Sequence, residues 1–264
     1  MITSTSNKRV GEIIELQTKA RARREQNRYV IEGRKLFMEA PLLYIEETYV
    51  EEAIWDSQDT RLKDKLKEVH AQTVSAEVMK KMCDTKTPQG ILSVMRCHTH
   101  SLEEVVSSTE KPPLLLVIEQ LQDPGNMGTL IRTGEAAGVT GIVLSPGCVD
   151  VFNPKTVRGS MGSLFRVPVC QVENLDAALA QMKSAGITMF AAHLKGTKYH
   201  YEFDYTVPTA FLIGNEGNGL TKETADQADV YVRIPMEGKV ESLNAAIAGT
   251  LLMYEANRQR GSWK

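Results

Sequence analysis

The sequence predicts an α/β protein in two parts: a small mixed α/β domain over residues 1–98 and a parallel-sheet domain over 113–264, joined by a linker at 99–112. Three observations carry this expectation. After residue 113, apolar runs of strand length alternate with helix-length stretches, which is the pattern of a parallel sheet covered on both faces. Before residue 98 the elements are shorter and more charged. Between them, Thr99-His-Ser-Leu-Glu-Glu-Val-Val-Ser-Ser-Thr-Glu-Lys-Pro112 is polar, has room for one helical turn and runs into a second proline.

Taken in order, Val10, Ile13, Ile14 and Gln17 fall at helical spacing and predict an amphipathic helix over 6–24. If that helix continued, Arg21, Arg24 and Arg28 would share one side. Arg28-Tyr-Val-Ile-Glu-Gly33 predicts a strand leading into a helix over 34–40. Strands follow at 49–55 and 91–96, with a charged helix over 60–70. Ser75 ahead of an apolar stripe to Met82 predicts a capped helix. In the second part, strands at 114–119, 141–145, 167–171, 188–193, 209–214 and 230–234 alternate with helices at 127–137, 154–163, 175–185, 222–227 and 242–259.

Composition narrows the class. With 42% hydrophobic and 24% charged residues the chain is an ordinary globular one. No apolar run has the length of a membrane span, and Met1 is not followed by a signal segment, so a cytoplasmic location is expected. Cys83, Cys97, Cys148 and Cys170 form no close pair and are expected as reduced structural thiols. Cys97-His98-Thr-His100 lacks a second ligand pair, so no metal is expected. Residues 1–35 hold nine Lys/Arg against four Glu, a net of +5 that leaves −7 to the rest of a chain whose total is −2. That basic end, with Arg21, Arg23, Arg24 and Arg28 in it, is either a solvated helix face or a localised anion-binding patch.

Three turns in the second part carry the polar groups. They are Asp123-Pro-Gly-Asn-Met-Gly-Thr-Leu-Ile-Arg132, Ile213-Gly-Asn-Glu-Gly-Asn-Gly219 and Ile234-Pro-Met-Glu-Gly-Lys-Val-Glu-Ser-Leu-Asn244. Each follows a strand, so the three are expected to meet in one composite site at the carboxyl ends of parallel strands. Each also has a plain reading. The glycine loop is a tight turn, and Asn126 and Ser242-Leu-Asn244 are helix caps. Gly214, Gly217 and Gly219 lack the dinucleotide spacing, and no phosphate-binding P-loop occurs. The helix start at Asp123 with Arg132 beside it offers a seat for a phosphate. Backbone groups at Ile234, Met236 and Leu243, freed by Pro235, would suit an adenine-bearing ligand.

The three turns resemble the motifs of the TrmH (SpoU) branch of the SPOUT class of RNA methyltransferases. The first resembles its Asn…Arg pair, the second its Gly-x-Glu-x-x-Gly-Leu stretch, and the third its Ile-Pro-Met…Ser-Leu-Asn. Asn153-Pro-Lys-Thr-Val-Arg-Gly-Ser-Met-Gly-Ser-Leu-Phe165 also resembles the family's intermediate helix, and the likeness spans about 113–260. Ala245-Ala-Ile-Ala248 departs from the common Val-Ser-Val-Ala by a packing change alone. The amino-terminal part, through Arg28-Tyr-Val-Ile-Glu-Gly33 and Thr87-Pro-Gln-Gly-Ile-Leu92, is similar to ribosomal proteins that grip kinked RNA, which implies that Arg21, Arg23, Arg24 and Arg28 meet RNA.

The resemblance implies a trefoil-knotted SPOUT domain and a homodimer. It implies methyl transfer from S-adenosyl-L-methionine to a ribose 2′-hydroxyl, in rRNA rather than tRNA because of the added domain. Cofactor contacts fall on Ile213, Gly214, Gly219, Ile234, Met236 and Leu243. Arg132, Asn126, Glu216, Ser242 and Asn244 would carry catalysis. Glu216 would fix Arg132 or a backbone donor, and Arg132 would act as base or as a clamp on phosphate or alkoxide. A tRNA methyltransferase and a catalytically silent RNA-binding module are the alternatives.

Overall fold

The computed structural model describes residues 1–107, 111–240 and 242–261, and the chain divides into two units. The first unit is Met1–His98 together with Asp150–Phe165, and the second is Thr99–Val149 with Arg166–Lys264. The amino-terminal stretch of the first unit ends at His98. Residues 150–165, expected in the parallel-sheet domain, pack instead on the first unit.

The amino-terminal elements are α1 (Lys8–Thr18), α2 (Ala20–Gln26), β1 (Arg28–Glu32), α3 (Arg34–Glu39), β2 (Ile45–Glu51), α4 (Glu52–Trp55), α5 (Thr60–Glu68), β3 (Gln72–Val74), α6 (Ala76–Met82) and β4 (Ile91–Arg96). Their sheet runs β1-β4-β2-β3, with β4 antiparallel to β1 and β2, and β3 parallel to β2. Neighbouring residues go to opposite faces, as strand pleating requires. Tyr49 and Leu92 join Val10, Ile13, Leu16, Val78 and Met82 on one side, while Val50 and Ile91 join Phe37, Leu62 and Leu66 on the other.

Three expectations are corrected here. The helix over 6–24 breaks at Lys19, whose φ of −117° and ψ of 112° are extended. The break has a chemical reason: it turns Arg23 back so that its Nη1 donates to the Leu16 and Gln17 carbonyls at 2.7 and 3.3 Å. Those are carbonyls the end of α1 would leave unpaired. The strand expected at 49–55 is Ile45–Glu51, and Glu52–Trp55 is a helical turn. Arg28 is not on the helix side shared by Arg21 and Arg24, because Asn27 takes a left-handed conformation (φ 53°) and β1 begins at Arg28.

The second unit contains α7 (Leu102–Val106), β5 (Leu114–Ile118), α8 (Pro124–Ala137) and β6 (Gly141–Leu144). After α9 (Pro154–Ser160), which belongs to the first unit, come β7 (Val169–Gln171), α10 (Leu175–Ser184), β8 (Thr188–Ala192), β9 (Lys198–Tyr199), β10 (Thr209–Ile213), α11 (Lys222–Gln227), β11 (Val230–Arg233) and α12 (Ala245–Gln259). Seven parallel strands follow the order β7-β6-β5-β10-β8-β11-β9. Strands β5 and β10 are fully buried, as expected of a sheet covered on both sides. From β5 the chain moves outward to β6 and β7, and from β10 it moves the other way to β11. The crevice between β5 and β10 is therefore the point where strand order reverses, the usual ligand position in open parallel sheets.

The expected linker is not free chain. Ser101 and Glu104 form a reciprocal capping box for α7, and Val105 is buried in the core with Leu115, Val117 and Val143. Residues 108–110 of that segment lie outside the described residues. Among the described residues no helix is long and apolar enough to cross a membrane.

Candidate active site

Strand β5 delivers its chain to the start of α8, three residues before the helix expected from sequence. Pro124 takes the first helical position, where a missing N–H is harmless. The cap is Asp123, whose Oδ1 accepts from the Asn126 N–H at 2.8 Å, so Asn126 keeps its side chain for other work. Strand β10 delivers Gly214 and the loop closed by reciprocal 2.9 Å bonds between Asn215 and Gly219. A Cβ on Gly214 would lie 2.0–2.2 Å from backbone atoms of Gly219 and Leu220, so only glycine fits.

The loop holds Glu216 against the α8 start. Its carboxylate accepts from the Gln122 N–H at 3.1 Å, the Asp123 N–H at 2.9 Å and Asn126 Nδ2 at 3.1 Å. Because a carboxylate only accepts, Asn126 must turn its amide nitrogen toward Glu216 and its oxygen away. That oxygen accepts from Asn244 Nδ2 at 3.0 Å. The Asn244 oxygen in turn caps α12, accepting from Ala246 and Ile247 N–H at 2.9 and 3.3 Å. Glu216, Asn126 and Asn244, one from each turn, thus form a single directed chain in which every amide orientation is determined. Partial burial works to raise the Glu216 pKa, but the hydrogen bonds from Asp123, Asn126 and Gln122 outweigh it and hold the carboxyl below its ordinary value.

The helix start is therefore not the open phosphate seat expected, since the protein's own carboxylate occupies it. Of the two partners expected for Glu216, it holds the backbone donors and not Arg132. Arg132 lies eight residues into α8, about 12 Å along its axis at the usual rise, and is exposed with no hydrogen-bond or ion-pair partner among the described residues. The α12 cap is Asn244 rather than Ser242, which is exposed at the rim.

Beside the chain of amides lies a cleft of about 380 Å³. It is lined by all six residues expected to hold cofactor (Ile213, Gly214, Gly219, Ile234, Met236 and Leu243), along with Glu216 and Ser242. The backbone groups of Met236 and Leu243 are bonded by no other described residue and remain available to a ligand.

Sequence reasoning missed Ala192, His193 and Leu194, which line the same cleft from the end of β8. Their signal was positional: a residue just past a parallel strand belongs to the ligand edge. It also missed Glu119, a 5%-exposed carboxylate at the end of β5. Glu119 accepts from the Thr221 N–H and hydroxyl and from the Thr224 hydroxyl at 2.6–2.8 Å, tying the start of α11 to the crevice.

In the first unit the four basic residues separate. Arg21 and Arg24 are exposed on α2. Arg28 pairs with Glu46 at 2.5 Å and Glu47 at 3.5 Å. Arg23 is 3% exposed, and its Nε donates to Asp150 at 2.7 Å. A guanidinium so enclosed cannot reach a phosphate, so Arg23 leaves the expected RNA face. His98 of the Cys-His-Thr-His segment stacks on Tyr44 at 4.5 Å and bonds the Leu164 carbonyl, and burial pushes the Cys97 thiol up to about 12.

A parallel sheet with a half-apolar cleft over the carboxyl ends of β8, β10 and β11, edged by free backbone groups, defines an α/β protein suited to a nucleoside-sized ligand. Residues 113–254 match the SpoU rRNA Methylase family, and residues 7–93 match the MRM3-like substrate binding domain. The chain belongs to the SpoU rRNA methylase family. It is 33% identical, over 96% of its own length and 97% of the relative's, to the 23S rRNA (guanosine(2553)-2′-O)-methyltransferase RlmP of Bacillus subtilis. It resembles the AdoMet-bound rRNA methyltransferase from Sinorhizobium meliloti, with TM-score 0.85, 30% identity and 97% of each chain covered. The SpoU methyltransferase AviRb from Streptomyces viridochromogenes, in complex with the cofactor AdoMet, matches with TM-score 0.84 at 26% identity, covering 98% of this chain and 100% of that one.

Proposed function

We infer that the protein methylates a ribose 2′-hydroxyl in structured RNA, with rRNA as the favoured substrate. The observation that carries this is the chain Glu216–Asn126–Asn244, which joins the three turns into one site beside the cleft. S-adenosylmethionine, when bound, supplies an activated methyl group on a sulfonium. The cleft fits it: the volume is that of a small-molecule site, and Leu220, Ile234 and Leu243 give apolar walls. Met236 and Leu243 present backbone groups for an adenine edge, and Gly214, which admits no Cβ, lets the backbone at Gly219 and Leu220 close against the strand end that lines the cleft.

The residues divide the remaining work. Asn126 and Asn244, locked by Glu216, orient the ribose, and Ser242 closes the rim. Alignment of this kind supplies much of the rate in an in-line displacement. Arg132 serves the same reaction as a base, or as a clamp on phosphate or developing alkoxide. A guanidinium is protonated in nearly every setting, which favours the clamp. Its exposure, with no partner among the described residues, leaves it available to RNA or a second subunit.

We extend the proposal to assembly. Ile247, Leu251 and Tyr254 form a stripe on one face of α12 and are 50%, 39% and 40% exposed. Such a stripe suits a homodimer in which a second copy covers α12 and completes the site. The carboxyl-terminal segment would thread into a trefoil knot, and the enzyme would act in the cytoplasm. RNA would meet residues 1–98 through Arg21 and Arg24, with Arg28 reached only if Glu46 and Glu47 release it.

The test is calorimetric titration with S-adenosylmethionine and with its demethylated product, followed by transfer of labelled methyl to an unmodified large-subunit rRNA transcript. One-site binding and label on a 2′-oxygen are expected. Folded protein that binds neither form would leave the silent RNA-binding module. Label on tRNA alone would select the tRNA alternative.

A further inference from the structure

We propose that residues 195–201 together with Arg233 form a stacking site for an unpaired RNA nucleotide adjacent to the one being methylated. The inference rests on the methyltransferase reading and adds where the RNA strand runs on the second unit.

Its centre is β9, the edge strand of the seven-stranded sheet. Tyr199 of β9 stands in register with Arg233 of β11, and Arg233 lines the cofactor cleft. Residues in register project from the same face, so this edge is continuous with the cleft rim. Tyr199 and Tyr201 are 38% and 51% exposed, and their rings lie 5.5 Å apart at an interplanar angle of 28°. A pair of near-parallel, part-exposed aromatic rings is a platform on which a base can stack.

The surroundings supply charge. Lys195 and Lys198 line an adjoining hollow of about 480 Å³ with Phe203 and Tyr231, and Lys198 Nζ lies 5.9 Å from the Phe203 ring centre. His193, at the cleft, stacks on Tyr231 at 4.6 Å and 19°, so aromatic rings run from cleft to hollow. Among the described residues Lys195, Lys198 and Arg233 form no ion pair. The nearby carboxylates are already engaged: Asp226 by Lys222, Asp229 by Lys183, and Glu202 by the Tyr199 N–H. The loop is also held in place. A Cβ on Gly196 would come within 2.9 Å of the Arg233 nitrogen, so the backbone lies directly against β11.

Charge decides between RNA and a second copy of the chain. Self-association through a two-fold axis would set Lys195, Lys198 and Arg233 against their own copies. A polyanion neutralises all three.

The test compares wild type with Tyr199→Ala/Tyr201→Ala, using a short single-stranded RNA that carries 2-aminopurine, whose fluorescence is quenched by stacking. The expected result is at least a roughly 10-fold loss of RNA affinity and loss of the quench, with S-adenosylmethionine affinity unchanged. Tyr199→Phe/Tyr201→Phe should behave as wild type, because stacking needs the ring and not the hydroxyl. Unchanged RNA affinity in the alanine variant overturns the site. So does a variant that binds RNA normally but loses self-association in sedimentation, which would make the edge a protein contact. Wild type that binds cofactor but not this RNA also overturns it, while leaving the methyltransferase reading intact. Wild type that binds no cofactor overturns that reading itself.

Discussion

Replacing Glu216 by alanine tests whether the three turns are one structure. The carboxylate takes three hydrogen bonds, two of them from backbone N–H groups at the start of α8. Buried bonds to a charged acceptor contribute about 1.5–3 kcal/mol each. Glu216 sits at an exposed rim where water replaces part of each bond, so about 1 kcal/mol per bond is the better figure. The loss is then about 2–3 kcal/mol in the second unit. With a urea dependence of about 2–3 kcal/mol/M, the midpoint falls by about 1 M. Far-UV circular dichroism, which follows the helices and strands of the chain, is the assay. Glu216→Gln keeps an acceptor and should lose about half as much. Both variants free Asn126 and Asn244, so methyl transfer should drop further than cofactor affinity. A midpoint shift below about 0.2 M, with turnover intact, would refute the idea that Glu216 organises the site.

The depressed Glu216 pKa gives a pH signature. A carboxyl with a lowered folded pKa stabilises fully above its unfolded value and loses that contribution as pH falls through the folded one. Wild type should therefore lose second-unit stability below about pH 4.5 more steeply than Glu216→Gln, measured by urea titration at each pH. Gly214→Ala forces a Cβ into backbone 2.0–2.2 Å away and should abolish cofactor binding, and calorimetric affinity within about 3-fold of wild type would contradict that geometry. Arg132→Ala should eliminate methyl transfer while leaving cofactor affinity and unfolding unchanged, since no described residue bonds its side chain; near-normal turnover removes it from the chemistry. Arg23→Ala strands Asp150 and two α1 carbonyls and should destabilise the first unit by about 3–5 kcal/mol. Arg21→Glu/Arg24→Glu should instead weaken RNA binding in a salt-dependent way at unchanged stability, and the reverse pattern would restore Arg23 to the RNA face.

The sequence by itself determined the alternation that makes a parallel sheet, and with it the edge at which a ligand binds. Apolar runs such as Leu114–Ile118 and Thr209–Ile213 have one low-energy use, as buried strands, whatever surrounds them. It also determined the three polar turns after those strands and the free backbone groups at Ile234, Met236 and Leu243, while Ile213, Gly214 and Gly219 as cleft residues followed from the family those turns resemble. What it left open were matters of which side chain meets which. Arg23 and Arg24 are neighbours of identical chemistry, yet one is enclosed and the other exposed, because a break at Lys19 aims only the first at the end of α1. The same limit applies to Glu216, where composition allowed Arg132 or a backbone donor. Only the closure of the loop between Asn215 and Gly219 points the carboxylate at the start of α8. Residues 150–165 show the limit at larger scale, since local pattern describes α9 but not the unit on which it packs. Periodicity and turn chemistry act between residues close in sequence, whereas pairings across 90 or 118 positions, such as Asn126 with Glu216 and with Asn244, exist only once β5, β10 and α12 have assembled.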